Sequence, residues 1–179
     1  MIDFDVRGKE ILQWLTTEYS GIRTGQATPA LLDNIKVESY GSMMPLNQVG
    51  SVGVEDARTL RISLWDAGGV SAVETALREA DLGVSVATDS SGLRVIFPEL
   101  TSDRRAQLIK LAKAKLEEAR VSVRSARDEI MKDLEKQQKD GDIGEDAKFT
   151  QKEDIQKKVA VVNNQLEALY DQKENEVSA

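Results

Sequence analysis

The chain has 179 residues, neither cysteine nor histidine, 31% charged residues and a net charge of −7. That composition excludes a thiol nucleophile, a disulfide framework, a zinc site of Cys or His and a Ser-His-Asp triad. It also leaves no imidazole to carry protons near neutral pH, so the chain is not expected to be an enzyme, and no catalytic residue, metal or cofactor is assigned. Aromatics make up only 4%, which favours long amphipathic helices over a sheet-rich protein. The longest apolar run is four residues, 159–162, too short for a membrane-crossing helix or a signal-peptide core. With a start charged throughout (MIDFDVRGKE), a cytoplasmic protein without a membrane partner is expected, and a monomer.

The first predicted element is a helix over 3–24. Phe4, Ile11, Leu15 and Ile22 follow the helical period, and Trp14 and Tyr19 widen the stripe. Gly8 and Gly21 weaken it at either end. At RTGQATPALLDNI (23–35) the character changes. Gly25 can end a helix with a positive φ, and Thr28 before Pro29 is pushed towards extended backbone.

Short runs with strand character follow at 34–40, 52–54, 59–64, 84–88 and 93–97, separated by turn signals at Gly41-Ser42, Glu55-Asp56 and 89–92. Within 34–40, Ile35 and Val37 alternate with Lys36 and Glu38, as a half-buried strand requires. Residues 70–82 read as one short helix, capped by Ser71 and stopped by Gly83. Together 31–100 form a compact α+β unit of β/α/β type.

After Pro98 comes the longest element, 101–139. It holds no Gly or Pro, so nothing in it breaks a helix, and Ser102 suits its N-cap. Ile109, Ala112, Leu116, Ala119, Val123, Ala126 and Ile130 follow at alternating spacings of three and four, a 3.5-residue period that makes a seam for other long helices. At about 1.5 Å per residue the rod is roughly 55 Å long and cannot bury that seam alone. A last helix over 146–177 repeats the spacing with Ile155, Val159, Val162, Leu166 and Leu169, with Phe149 and Tyr170 beside them. The intervening DGDIGED resembles a calcium loop only in Asp140 and Asp142. Glu145 and Gln151 stand where Gly and Glu are required, so it reads as a helix-to-helix turn.

The expected arrangement is an insertion. Residues 1–30 and 101–179 make a three-helix bundle, and 31–100 interrupt it as the α+β domain. The two joints lie near 25–30 and 98–102. Two connecting strands of small and polar residues bend more readily than they twist, which predicts a hinge.

The long helix also carries the basic charge. Between Arg104 and Lys132 there are nine Lys or Arg against four acids, a balance of +5 in a chain of −7. Arg120, Arg124 and Arg127 stand at i, i+4 and i+7, on one face and away from the seam. That pattern is either a solvated face paired to Glu117 and Glu118 or a row of guanidinium groups that grips phosphates. Nucleotide-binding glycine loops and a Ser-Lys motif are absent, and no aromatic strand pair suggests a single-strand RNA platform.

The segments RTGQATPALLDNIKVESYG, PLNQVGSVGVEDARTLRISLWD, ALREADLGV, GLRVIFPELTSDRR and EEARVSVRSARDE closely resemble the ribosome recycling factor family, in order and over essentially the whole chain. The resemblance implies an L-shaped, tRNA-like protein, with a three-helix bundle and a small mixed domain on a flexible elbow. It further implies binding to the post-termination ribosome and, with elongation factor G and GTP, splitting of the subunits with release of mRNA and tRNA. By that resemblance Arg127 matches an arginine that meets large-subunit ribosomal RNA, with Arg124 and Arg120 as neighbouring basic positions. Gly25, Gln26, Thr28 and Pro29 match the first elbow strand, and Pro98, Leu100 and Thr101 the second. Gln26 and Asp128 stand where the family usually has arginine, which implies a weaker hold on RNA or a flatter salt dependence. Two other classes remain open from the residues alone: a helical scaffold whose arginines serve solubility, and a carboxylate-based hydrolase for which no converging pair of acids can be located.

Overall fold

The structure, a computed structural model, describes residues 3–179. It is an α+β fold whose contacts divide the chain into two compact units. One holds the residues up to Tyr19 and Ile109–Asn175; the other holds Ser20–Leu108 and Glu176–Ala179. This division differs from boundaries at 30/31 and 100/101, because both connecting segments pack with the sheet. Ala27 is buried, and its N–H donates to the carbonyl of Ala57 at 2.7 Å. Phe97 N–H donates to Arg58 O at 2.8 Å, and Leu100 and Leu108 are buried. No helix of the described residues is long and apolar enough to cross a membrane.

The helical unit is built on α1 (Phe4–Ser20), α3 (Ser102–Asp140) and α4 (Glu145–Ser178). The seam of α3 is buried from Ala112 through Leu116, Ala119, Val123, Ala126 and Ile130 and continues to Leu134. Ile109, expected to begin it, is only partly covered, and Leu108 is the buried residue there. Each pair of helices is tied by a specific contact. The Tyr19 hydroxyl of α1 donates to Ala112 O of α3 at 2.8 Å. Lys158 of α4 meets Asp5 of α1 at 2.7 Å, and Lys152 of α4 meets Glu135 of α3 at 3.2 Å. Gly8 sits where α1 crosses α4: a Cβ there would lie 2.9 Å from Val162 Cγ2, so its lack of a side chain permits the approach and offsets its poor helix propensity.

Two expectations for the helices are corrected. Phe149 is 63% exposed, and Ile155, Val159 and Leu169 are only partly buried, so α4 seals this unit with Val162, Leu166 and Tyr170. Lys158 already reaches Asp5 near the described start of α1, so among the described residues the first turn of α4, with Phe149, packs chiefly on α3. The N-cap of α3 is Thr101, whose Oγ1 accepts from Arg104 N at 3.2 Å; Ser102 is already helical. At the other end Gly141 has φ 84°. Asp142 N–H bonds Gln137 O at 2.8 Å and Gly141 N–H bonds Gln138 O at 3.2 Å, which is the Schellman closure that a left-handed glycine permits.

The other unit carries two antiparallel sheets. In the first, β1 (Lys36–Ser39) pairs with β2 (Ser42–Pro45). Strand β2 is not apparent from residue types; the expected Gly41-Ser42 turn is instead Tyr40-Gly41, with φ of 50° and 77°, a two-residue left-handed turn that puts Ser42 opposite Ser39. The second sheet has the order β3-β4-β6-β5, from β3 (Gly50–Asp56), β4 (Thr59–Leu64), β5 (Ser85–Asp89) and β6 (Gly92–Ile96). Helix α2 (Val70–Glu79) stands between β4 and β5 in the chain. Leu60 and Ile62 of β4, Leu93 and Val95 of β6, and Val73 and Leu77 of α2 form one core with Leu32, Val37, Leu46 and Phe97. Ser71 does not cap α2: the preceding Gly69 makes no side-chain cap, and Asp66 instead accepts from Gly68 N to close the turn before it.

Gly92 has φ 140°, and a Cβ there would lie 2.0 Å from the backbone carbonyl oxygen of Ile62. Backbone cannot retreat as a side chain can. Gly92→Ala is expected to lower the unfolding free energy in urea by about 2–5 kcal/mol, the sum of left-handed strain and overpacking.

Candidate nucleic-acid interface

At 100° per residue Arg120, Arg124 and Arg127 fall within an arc of about 60° on α3, and the buried seam lies to one side of it. The structure brings all three to the surface of the helical unit, and each is met by a carboxylate of the chain. Arg120 pairs with Glu167 of α4, Arg124 with Glu117 at 2.6 Å, and Arg127 with Asp128 at 2.8 Å. Their side chains remain 36%, 50% and 38% exposed. They are neither inside the protein nor bare. Pairs this exposed are each worth about 0–1 kcal/mol, so their carboxylates are exchangeable for another anion.

The inward edge of this face is fixed by Tyr19. Burial holds its phenol up at about 12, reinforced by Tyr170 and Glu167 and opposed by Arg120, so it stays a neutral donor to Ala112 O. On the outward edge, Arg124 holds the carboxyl of Glu117 below its ordinary range. Glu117 is therefore anionic at neutral pH, and the arginine row is partly neutralised at rest. Lys113 falls in the same arc, Lys110 and Lys132 stand on the neighbouring face, and all three are exposed, which keeps the helix basic around its paired arginines.

The expected hinge residues fall in the sheet-bearing unit. Gly25, Gln26 and Thr28 line one cleft with Thr24, Glu176 and Ala179. Thr28 is extended at φ −124°, ψ 147°, and Pro29 opens a short 3-10 turn, as the residue before proline requires. Gly25 does not take a left-handed conformation, because α1 has already ended at Ser20. Leu100 is buried and Thr101 caps α3. The two connecting segments are joined by Arg23, whose Nη2 donates to Pro98 O and whose guanidinium lies 5.4 Å from the Phe97 ring centre. Burial, with Arg104 and Arg58 nearby, lowers the Arg23 pKa from its ordinary value. Arg105 reaches Ser178 O at 2.5 Å and Ala179 O at 3.0 Å. Neither Arg23 nor Arg105 is singled out by pattern; the one available signal is an arginine beside a connector of small polar residues.

A family model described as ribosome recycling factor matches residues 15–177. Ribosome-recycling factor of Chlorobium phaeobacteroides is 40% identical over 173 residues, covering 97% of this chain and 93% of the relative. That of Bifidobacterium longum subsp. infantis is 43% identical over 159 residues, covering 89% and 87%. Among solved structures, a solution structure of a ribosome recycling factor superposes with a TM-score of 0.76 at 33% identity, over 99% of both chains. Models of the T. thermophilus ribosome recycling factor and E. coli elongation factor G bound to the E. coli post-termination complex include a chain with a TM-score of 0.66 at 34% identity, covering 98% of this chain and 95% of that one.

If the arginine–carboxylate pairs are as exchangeable as their exposure indicates, Glu117→Gln will change the urea unfolding free energy by less than about 1 kcal/mol. A loss of several kcal/mol would mark Arg124 as a structural residue.

Proposed function

This chain belongs to the ribosome recycling factor family, and on that footing we propose that it binds post-termination ribosomes and, with elongation factor G and GTP, splits the subunits and releases mRNA and tRNA. The reading is carried by one observation: the match runs through nearly the whole chain, and it extends to a structure of a ribosome recycling factor and elongation factor G bound to the post-termination complex. No side chain is asked to do covalent chemistry. The energy comes from the nucleotide hydrolysed on the partner.

In this reading the bundle docks by phosphate contacts from Arg120, Arg124 and Arg127 to large-subunit ribosomal RNA. Such contacts position a protein without reading sequence, and a rigid helix face suits recognition of RNA by shape. Each arginine exchanges a carboxylate for a phosphate. Because the carboxylate pairs are weak, the exchange costs little, and a phosphate contact to a guanidinium is charge-assisted. The connectors at Gly25, Gln26, Thr28 and Pro29 and at Pro98, Leu100 and Thr101 act as a double-stranded hinge, through which the domain of 31–100 transmits force from elongation factor G.

Arg127→Ala is expected to weaken binding to large subunits by about 1–3 kcal/mol, the scale of a charge-assisted hydrogen bond. Unchanged co-sedimentation at physiological salt would remove Arg127 from the interface. Substituting Pro for both Gly25 and Gln26 stiffens one connector. That variant should pellet with ribosomes as the wild type does and fail to split subunits in a light-scattering assay; full splitting activity would remove the hinge from the mechanism.

A further inference from the structure

The three paired arginines of α3 are not held alike. Arg120 and Arg124 each give a single terminal nitrogen, Nη2, to a carboxylate. Arg127 gives both Nε and Nη2, at 2.9 and 2.8 Å, to Oδ1 of Asp128. That edge of a guanidinium is one of the forks by which arginine takes a phosphate or carboxylate through two parallel N–H groups. Here it is filled by the next residue of the same helix, so no element has to move for the contact to part or re-form. Asp128 is itself 56% exposed and lies where an incoming polyanion would meet it.

We propose that Asp128 is an internal counter-ion that competes with RNA phosphate for the Nε–Nη2 edge of Arg127, holding the affinity of this face below what its arginines alone would provide. The inference rests on the reading that this face meets ribosomal RNA. Two effects act in the same direction. The fork is occupied until Asp128 lets go, and the carboxylate then repels the phosphate that replaces it. Because the pair is exposed and weak, the competition tunes binding without abolishing it. Affinity differences among variants of one interface lie mostly in the dissociation rate, so Asp128 quickens release.

The test is a double-mutant cycle in the full chain, with folding checked by circular dichroism and binding read by co-sedimentation with vacant large ribosomal subunits across a salt series. Asp128→Asn should bind about two- to fivefold tighter, the fold-change of a weak exposed pair. The slope of log affinity against log salt should steepen, because no freed carboxylate then takes up a counter-ion when Arg127 meets the phosphate. Glu129→Gln makes the same charge change one residue on, at a carboxylate that accepts from Ser125 rather than from an arginine, and should gain less. In an Arg127→Ala background, Asp128→Asn should gain nothing. The proposal is overturned if Asp128→Asn binds no tighter than Glu129→Gln, or if its gain survives without Arg127. A folded wild type that fails to pellet at any salt would remove the RNA reading and this inference together, an outcome distinct from a wild type that binds and an Asp128→Asn that binds equally.

Discussion

Burial of the α3 seam is the constraint on which the helical unit depends. A helix of 39 residues far exceeds the usual three turns and gains little stability from propensity alone. Its buried line alternates small residues, Ala112, Ala119 and Ala126, with Leu116, Val123 and Ile130. The alanines admit neighbouring backbones, and each larger side chain contributes about 1.5–3 kcal/mol on burial. Where α1 and α4 both flank α3 the seam is dry; where α1 has not begun, Phe149 is left in solvent. The same economy explains Gly8, which is a poor helix former in isolation and a good one where Val162 needs the space.

The polar side of α3 follows from the same geometry. Once one stripe is committed to the core, the remaining faces carry nine basic and four acidic residues between 104 and 132, and carboxylates of α3 itself and of α4 lie within reach of its arginines. The arginine row is therefore shielded by its own carboxylates and still open to water. On the proposed reading, such a surface suits reversible contact with a polyanion. The acidity of the rest of the chain works the same way, since it opposes association wherever the basic face is not engaged.

The connectors show how a flexible-looking sequence can be specifically held. Small and polar residues at 24–28 suggest freedom, yet Ala27 is buried and hydrogen-bonded to the turn between β3 and β4, and Arg23 links the first connector to Pro98 of the second. Exposed Gln26 and Thr28 retain the local freedom.

Much of this was legible in the residues. The seam of α3, the extent of β4, the existence of α2 and the clustering of three arginines follow from periodicity and charge, which are local properties of a chain. So does a stop within DGDIGED; that Gly141 makes it, in a left-handed turn cheap only without Cβ, is seen in the structure. Family resemblance supplied the ribosome, which no spacing could. Tertiary structure decided the rest. Strand β2 exists because Tyr40 accepts a positive φ and Val37 pulls its hairpin onto the core, and neither is visible in SMMP read alone. Phe149 is exposed, and Leu108 rather than Ile109 is buried, because what covers a helix depends on where its partners begin and end. The pairing of Arg120 with Glu167 joins residues 47 apart, and Arg23 and Arg105 act on carbonyls more than 70 residues away. Short-range pattern dictates which face of each element is apolar and which is charged. Charge pairs within one helix, Arg124 with Glu117 and Arg127 with Asp128, stay local; a pair such as Arg120 with Glu167 is set only when distant segments share a surface.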